Sequence, residues 1–361
     1  MSPGFRLLPA KLSSCEGRCK AMRYVMLGKT GLEVSEVGFG CIPIIRLSNA
    51  EAVTVLRRAY DLGITLFDTA NAYIDSEEKI GLAFQGIRSS LVISTKTLKR
   101  DRAGAEADID LSLQRLHSDY IDIFQIHQLS LEPDYQTAIG PEGILEALFR
   151  AKQAGKIRHI GVTSHSIEMA NKLVRTGLFS TIQFPFNFLE SKPVSELHPV
   201  ARQEGMGILA MKPFGGGALD NAELCFKFLR QFPDVIPLPG FDTVEQVDQI
   251  TSIYETDNAV SLEDLNAMEG YRKELGQRFC RRCEYCQPCE QGVMITTAMT
   301  YPIIARRMSG AKAAGFATQA MESVRNCTEC EECVKRCPYS LPIPEMLQEH
   351  LALYERHATG A

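Results

Sequence analysis

The chain has 361 residues, of which 45% are hydrophobic and 23% charged, and its formal net charge is -5. This length accommodates one large domain and one small domain. The acidic balance offers no basic surface for nucleic acid, and no apolar stretch approaches the length of a membrane span. We therefore expect no nucleic-acid partner and no membrane.

The first 21 residues match no periodic pattern, and Met22 opens the first strand-like segment. We predict that residues 1–21 form a disordered extension, unless translation starts at Met22. They lack the apolar core and the cleavage site of a secretory signal, which predicts a cytoplasmic protein. Residues 22–35 contain two short apolar runs around a Gly-Lys-Thr-Gly turn, and this pattern predicts a β-hairpin at the N-terminal mouth of the fold.

A unit of strand, turn and helix recurs between residues 37 and 254. The strands are predicted at 37–41, 65–69, 91–96, 121–127, 157–163, 181–187, 207–212 and 235–240. Helices are predicted, for example, at 49–62, 142–154 and 194–204, and glycine caps follow at Gly63, Gly155 and Gly205. Continuous apolar strands in such units predict an α/β fold, a (β/α)8 TIM barrel. A doubly wound sheet is the alternative, but no G-x-G-x-x-G follows the first strand.

The region after the barrel is predicted to be helical. Ser261 and Asp264 can form an acidic capping box at the start of a helix over 261–276, and further helices are predicted at 296–324 and 341–355. We therefore divide the chain into an extension at 1–21, a barrel at 22–258, a helical linker at 259–279 and a small α-helical domain at 280–361.

Eight of the 12 cysteines lie in two compact runs near the C-terminus. The first run contains Cys280, Cys283, Cys286 and Cys289, and the second contains Cys327, Cys330, Cys333 and Cys337. The second run has the spacing C-x2-C-x2-C-x3-C-P, in which thiolates hold iron–sulfur clusters and the fourth cysteine ligates the other cluster. The pattern predicts two [4Fe-4S] clusters, although the first run has two residues before its last cysteine and no proline after it.

Other roles for these cysteines were considered. Zinc also binds four thiolates in paired CxxC units, but zinc ribbons rarely place four cysteines at such intervals before a proline. Disulfides would need an oxidising compartment. Cys41 and Cys225 lie in apolar segments and are predicted only to pack in the core.

Polar residues end three consecutive predicted strands, namely Asp68, Lys96 and His127, and Tyr73 follows in the loop after Asp68. In a TIM barrel the carboxyl ends of the strands form the active site. Lys96 beside Tyr73 would lower the tyrosine pKa, Asp68 would keep the lysine cationic, and a neutral His127 would bond a carbonyl oxygen. Asp68 and Lys96 alone could form a structural ion pair, but the four residues together favour carbonyl chemistry.

At these residues the chain resembles the aldo-keto reductase family. Residues 67–73, Phe-Asp-Thr-Ala-Asn-Ala-Tyr, are similar to the family's signature on the second strand, and Lys96 and His127 follow in the family's order. The resemblance covers about residues 22–250 and implies that Asp68, Tyr73, Lys96 and His127 are catalytic. The implied reaction is hydride transfer from NADPH or NADH to a small aldehyde or ketone.

The cofactor contacts that the resemblance implies are spread over several strand ends. Ser164 and Gln183 would hold the carboxamide, and Met211 stands where many members have a stacking tyrosine. Residues that would clasp the adenosine phosphate are Gly240, Phe241, Thr243 and Gln246. This clasp has no basic residue for a 2'-phosphate, so NADH becomes plausible, and Lys212 is the nearest compensating cation.

The cysteine region resembles the ferredoxin-like extension of a subset of the family. The resemblance implies one cluster on Cys280, Cys283, Cys286 and Cys337, and another on Cys327, Cys330, Cys333 and Cys289. Exchange of Cys289 and Cys337 would give two self-contained sites instead.

Three functions follow from this reading. The first is a carbonyl reductase with structural or redox-sensing clusters. The second is an electron-transfer enzyme that couples its clusters and a partner ferredoxin to the barrel, and the third is a barrel that only supports an interaction protein. An apolar rim at Phe186, Phe188 and Phe214 suggests a partly nonpolar substrate, and packing in the core would explain these phenylalanines equally well.

Overall fold

The structure is a computed structural model that describes residues 22–275, 278–282, 285–307, 310–337 and 339–360. The predicted extension at 1–21 lies outside the described residues. The strands are β1 (Tyr24–Met26), β2 (Glu33–Ser35), β3 (Phe39–Gly40), β4 (Leu66–Asp68), β5 (Val92–Thr97), β6 (Ile121–Ile126), β7 (Ile157–Thr163), β8 (Thr181–Pro185), β9 (Gly207–Met211) and β10 (Val235–Pro237). Within the described ranges, no helix is long and apolar enough to cross a bilayer.

Strands β3 to β10 form one parallel sheet in which each strand pairs with its neighbours in sequence order. The Gly38 amide donates to the Pro237 carbonyl at 2.9 Å and the Gly40 amide to that of Pro239 at 2.7 Å, which joins the first strand to the last. The predicted TIM barrel is therefore confirmed. Every predicted strand is present, and most are shorter than predicted because their ends already belong to loops.

Ten helices of the described barrel region surround the sheet. They are α1 (Asn49–Asp61), α2 (Ser76–Ala83), α3 (Arg102–Arg115), α4 (Glu132–Ile139), α5 (Ile144–Gln153), α6 (Ile167–Val174), α7 (Pro193–Glu196), α8 (His198–Glu204), α9 (Ala222–Leu229) and α10 (Val244–Glu255). Gly63, Gly155 and Gly205 have φ of 93°, 76° and 71°, as predicted for helix caps. The single helix predicted at 194–204 is interrupted at Leu197, because Pro199 in the first turn of α8 has no amide hydrogen to continue the helix.

The hairpin β1–β2 packs against the amino ends of the barrel strands. Its turn residue Gly28 has a φ of 54°, and a Cβ there would lie 2.4 Å from the backbone nitrogen of Gly207, at the start of β9. Only glycine fits such a contact. The hairpin therefore covers the barrel end opposite to the ends of the strands where the polar residues lie.

The C-terminal region contains helices α11 (Leu262–Leu275), α12 (Ile295–Met299), α13 (Tyr301–Arg307), α14 (Gly310–Ser323), α15 (Glu332–Lys335) and α16 (Ile343–Thr359). The Asp264 amide donates to the Ser261 hydroxyl at 3.1 Å and the Ser261 amide to the Asp264 carboxylate at 2.9 Å, which is the expected capping box. Met268 of α11 belongs to the barrel core, whereas helices α12, α14 and α16 contribute to a second apolar core. The barrel and the cysteine region therefore have separate cores.

Candidate active site

The residues singled out at the strand ends meet at one mouth of the barrel. Asp68 is the last residue of β4, Lys96 lies near the end of β5 and His127 follows β6 directly. All three are buried, with exposures of 4%, 1% and 8%. Parallel pairing of β4, β5 and β6 aligns their carboxyl ends, so the fold itself brings these side chains together.

The Asp68 carboxylate lies at the centre of a hydrogen-bond network. The Lys96 ammonium donates to it at 2.7 Å, and the hydroxyl of Ser94 at 2.9 Å. The side-chain amides of Gln125 and Gln183 donate at 3.2 Å each. Burial would lower the pKa of Lys96, but Asp68 and Tyr73 outweigh that effect and raise it, so the lysine is cationic.

Tyr73 is half-buried beside the two other side chains at the mouth. The Lys96 nitrogen lies 5.2 Å from the centroid of the Tyr73 ring, and the ring meets that of His127 edge to face at 5.8 Å. Burial raises the pKa of Tyr73, and the opposing charge of Lys96 only reduces that rise. The predicted lowering of the tyrosine pKa was therefore wrong in its net direction, because desolvation of the phenolate outweighs the nearby cation.

The His127 side chain is neutral, as predicted. Burial, followed by the charges of Lys96 and Arg100, lowers its pKa to about 3. Its buried Nδ1 has no hydrogen-bond partner among the described residues. A neutral imidazole with one unsatisfied nitrogen at the mouth fits a site that receives polar groups of a ligand.

This low pKa predicts that His127 makes stability fall in acid. Above pH 6.5 the histidine is neutral in both the folded and the unfolded state and costs no stability. As the pH falls from 6.5 towards 3, only the unfolded histidine binds a proton, so the free energy of unfolding decreases. Denaturant unfolding of wild type and His127→Gln at pH 7 and pH 5 should show that wild type loses about 2 kcal/mol more. The exposed His117→Gln is the control and should behave as wild type, and an equal pH effect in all three proteins would contradict the prediction.

Sequence reasoning missed two residues of this network. Ser94 and Gln125 lie two positions before Lys96 and His127 in the chain, and alternation along extended backbone turns each pair towards the same side. The Gln125 amide also donates to Gln183 at 2.8 Å. Cys41 is buried in the core, as predicted, and its backbone amide donates to the Asp68 carbonyl at 2.9 Å.

The predicted carboxamide contacts lie on strands across the barrel. Ser164 is buried at the end of β7, where its hydroxyl accepts from the Ser166 amide at 3.2 Å. Gln183, in β8, is part of the Asp68 network, and Met211 ends β9. The structure therefore brings Gln183 to the Asp68 carboxylate, a contact that the sequence had not predicted.

Lys212 and the glycine run after β9 form the next wall of the mouth. Lys212 has a φ of 57°, and the carbonyl oxygen of this residue accepts from the Asn187 side chain at 3.0 Å. Gly216 has a φ of 69° and open space where a Cβ would project. There is therefore space on this side of the Gly216 Cα.

The predicted phosphate clasp lies between β10 and α10. Gly240 bridges to Gly40, Phe241 is buried, and Thr243 caps α10 by accepting from the Gln246 amide at 3.3 Å. A basic residue that sequence reasoning missed also reaches the clasp, since Arg46 donates to the Asp242 carboxylate at 2.7 Å. The two residues are 196 positions apart, so no local pattern signals this pair.

The phenylalanines predicted to form an apolar rim are mostly core residues. Phe186 and Phe188 are 1% and 0% exposed and pack against aromatic rings of α9 and α11. They therefore give no information about the substrate.

The two cysteine runs contribute to a shared cavity. Cys280 and Cys286 of the first run and Cys337 of the second line it, together with Arg281 and Tyr339. Cys283 lies outside the described residues. This grouping corresponds to the crossed arrangement, in which the last cysteine of the second run joins the first.

Cys327, Cys330 and Cys333 of the second run lie close together. The charges of Cys327 and Cys330 both act on the pKa of Cys333, which burial raises, so these three side chains are neighbours. Arg336 donates to the Pro288 carbonyl at 3.1 Å, which holds the segment before Cys289 against the second run. Across the described residues, no three Cys, His, Asp or Glu side chains form a group compact enough for a single metal ion.

The cysteine region is connected to the barrel mouth. Helix α11 reaches the loop after β8, where the Arg272 guanidinium donates to the Phe188 carbonyl at 3.0 Å. Phe279 approaches Gly215 in the loop after β9. Burial, followed by the charges of Lys212, His127 and Arg282, lowers the pKa of His165 well below its usual value. Arg282 belongs to the first cysteine run, so its charge reaches His165 after β7.

Comparisons with known proteins agree with this geometry. The aldo/keto reductase family model matches residues 36–225, and a 4Fe-4S dicluster domain matches residues 279–342. An uncharacterized oxidoreductase, YqkF of Bacillus subtilis, is 30% identical over 56% of this chain and 68% of its own length. The aldo-keto reductase YhdN of the same organism is 34% identical over 50% of this chain and 59% of its own length.

Structural similarity supports the same fold. The aldo-keto reductase AKR11C1 from Bacillus halodurans, in its holo form, matches with a TM-score of 0.59 and 22% identity over 69% of this chain and 96% of its own length, which shows the fold. The chain is therefore an oxidoreductase that belongs to the aldo/keto reductase family and carries a C-terminal 4Fe-4S dicluster domain.

Proposed function

We propose that the protein reduces an aldehyde or ketone by hydride transfer from NAD(P)H, with Tyr73 as the proton donor. The observation that carries this proposal is the position of the Lys96 ammonium, which bonds Asp68 at 2.7 Å and lies 5.2 Å from the centroid of the Tyr73 ring. A nicotinamide nucleotide bound at the mouth would supply the hydride to the carbonyl carbon.

The residues around the mouth would manage the proton and the carbonyl oxygen. Tyr73 starts as a neutral phenol, since burial raises its pKa, and gives its proton to the oxygen that gains negative charge. The fixed cation of Lys96 stabilises the phenolate that remains. Neutral His127 can donate a hydrogen bond to the same oxygen and orient the carbonyl.

The nucleotide would lie along the strand ends from β7 to β10. Ser164 and Gln183 supply polar groups for the carboxamide, and Met211 an apolar surface for the ring. The space beside the Gly216 Cα could admit the pyrophosphate, and the adenosine end would rest on the clasp of Gly240, Phe241, Thr243 and Gln246. The unsatisfied Nδ1 of His127 supports a ligand with polar groups at this mouth.

We further propose NADH as the preferred nucleotide, because Asp242 neutralises Arg46 in the clasp. An acidic residue can bond a ribose hydroxyl but repels a 2'-phosphate. Asp242→Ser would free Arg46 and should raise affinity for NADPH relative to NADH roughly tenfold, or about 1.4 kcal/mol. The measurement is the Kd of each nucleotide by fluorescence quenching.

A matched control is Asp248→Ser, which breaks the 2.7 Å pair with Arg58 outside the clasp. It should leave the ratio of the two affinities unchanged. Equal ratios in wild type and Asp242→Ser would contradict the role of Asp242.

For the cysteines we propose two [4Fe-4S] clusters in the crossed arrangement. The proximal set, near the barrel, consists of Cys280, Cys283, Cys286 and Cys337, and the distal set consists of Cys289, Cys327, Cys330 and Cys333. The cavity lined by Cys280, Cys286 and Cys337 supports this assignment, since it brings cysteines of both runs together. The separate cores support a barrel at 22–258, a helical linker at 259–279 and a cluster domain at 280–361.

A second candidate function is electron transfer between the clusters, a ferredoxin-type carrier and the barrel. The observation that favours it is the position of Lys212, whose charge acts on both Cys280 and His165. The proximal set and the mouth therefore share a neighbour, which a purely structural cluster would not need.

Anaerobically purified protein provides the test of these functions. About eight irons per chain would support two clusters. Oxidation of NADH that requires an added aldehyde, without bleaching of the visible spectrum, would support the reductase. Bleaching on addition of NADH alone would support electron transfer, and the absence of nucleotide binding would contradict both.

A further inference from the structure

Positive charge surrounds the proximal set. Arg281 lines the cavity that Cys280, Cys286 and Cys337 share. Its guanidinium lies 4.1 Å from the centroid of the Tyr339 ring, which fixes it at the cavity wall. Burial raises the pKa of the Cys280 thiol, and the nearby charges of Arg282 and Lys212 oppose that rise.

Two acidic residues offset part of this charge. Burial raises the pKa of Glu190, in the loop after β8, and the nearby charges of Lys212 and Arg281 oppose that rise. Glu284 lies between Cys283 and Cys286 in the sequence. Three cations and two carboxylates give the neighbourhood of the proximal set a net charge of about +1.

Negative charge surrounds the distal set. Glu329, Glu331 and Glu332 alternate with its cysteines, and all three are exposed. The ammonium of Lys335 pairs with Glu332 at 2.6 Å, and Glu332, followed by smaller effects that include Cys330, raises the pKa of this lysine. Lys335 therefore offsets one of the three carboxylates. Near Cys289, the negative charge of Glu290 and the positive charge of Arg336 cancel. The neighbourhood of the distal set therefore has a net charge of about -2.

The two sets also differ in exposure. Cys330 of the distal set is exposed at the surface, whereas Cys286 of the proximal set is buried and Cys280 and Cys337 are half-buried. A one-electron carrier in solution can thus approach the distal set, while the proximal set adjoins the mouth. Net charge and solvent exposure are both factors that set the reduction potential of an iron–sulfur cluster.

We propose that the chain is electrically polarised, with a higher reduction potential at the proximal set than at the distal set. An electron from a reduced one-electron carrier then enters at the surface and moves towards the barrel mouth, and the carrier is oxidised by one electron. This inference rests on the proposed pair of clusters. The family assignment alone does not give this direction of electron transfer.

The test is a redox titration of the anaerobic holoprotein, followed by electron paramagnetic resonance. Arg281→Gln combined with Arg282→Gln should lower only the higher midpoint potential, by about 59 mV or more, which is a tenfold change for a one-electron couple. Glu329→Gln combined with Glu331→Gln should raise only the lower potential. The exposed Arg150→Gln on α5 removes the same kind of charge far from both sets and should shift neither.

The outcomes separate this inference from the proposed function. If the arginine variant moves the lower potential, or moves neither, the polarity is wrong although two clusters exist. If wild type contains one cluster or none, the proposed cofactor content fails first. If the arginine variant loses iron, the glutamate variant still decides the order, since it must raise the lower potential.

Discussion

Replacement of Tyr73 by phenylalanine is expected to slow carbonyl reduction by about 10²- to 10⁴-fold, the usual effect of losing a general acid. The ring would still pack beside Lys96 and His127, whose contacts with it involve the ring and not the hydroxyl. Affinity for NADH should therefore change little. Single-turnover rates of NADH oxidation with an aldehyde, together with the nucleotide Kd, measure the two effects separately.

The control for this variant is Tyr60→Phe, which removes a hydroxyl that bonds Ser90 at 3.0 Å on the outside of the barrel. It should retain the wild-type rate. If Tyr73→Phe retained more than a tenth of the wild-type rate, another group would be the proton donor.

Replacement of Lys96 by methionine is expected to abolish reduction and also to destabilise the fold by about 3–5 kcal/mol. The buried Asp68 carboxylate would lose its charge partner and keep only the neutral donors Ser94, Gln125 and Gln183. Denaturant unfolding and the NADH oxidation rate, measured on the same preparation, test both parts of the prediction.

The two parts can be separated with other variants. Adding Asp68→Asn to Lys96→Met removes the unpaired charge and should restore much of the stability without the activity. Arg88→Met is the matched control, because Arg88 pairs at 2.6 Å with the buried carboxylate of Asp122, the second residue of β6, at the barrel end opposite to the mouth. It should lose stability while its folded fraction remains active. Full activity of Lys96→Met would overturn the proposed role of Lys96.

The barrel and the positions of its polar residues could be predicted because both depend on local patterns. Apolar strands of the right length alternate with capped helices, and residues at the ends of parallel strands must meet. Asp68, Lys96 and His127 were identified from this rule together with the family resemblance. Their catalytic roles remain proposals until the variants are measured.

The electrostatics of the site could not be predicted in the same way. The net pKa shift of Tyr73 depends on how deeply the folded loop buries the ring, which the spacing of Asp68 and Tyr73 does not reveal. Arg46 and Asp242 pair across 196 positions. The neighbourhood of Cys280 and Cys337 likewise arises only from packing of the second core, where the sequence left two arrangements open.

The junction between β3 and β10 has a consequence for the response of the barrel to ligands. Elsewhere in the barrel, adjacent strands pair over at least two residues, whereas β3 and β10 meet through a bridge between Gly40 and Gly240 and the two backbone bonds from Gly38 and Gly40. Because the clasp at Gly240 and Phe241 adjoins this junction, a molecule bound there would favour the closed form of the barrel and stabilise the pairing of the first strand with the last.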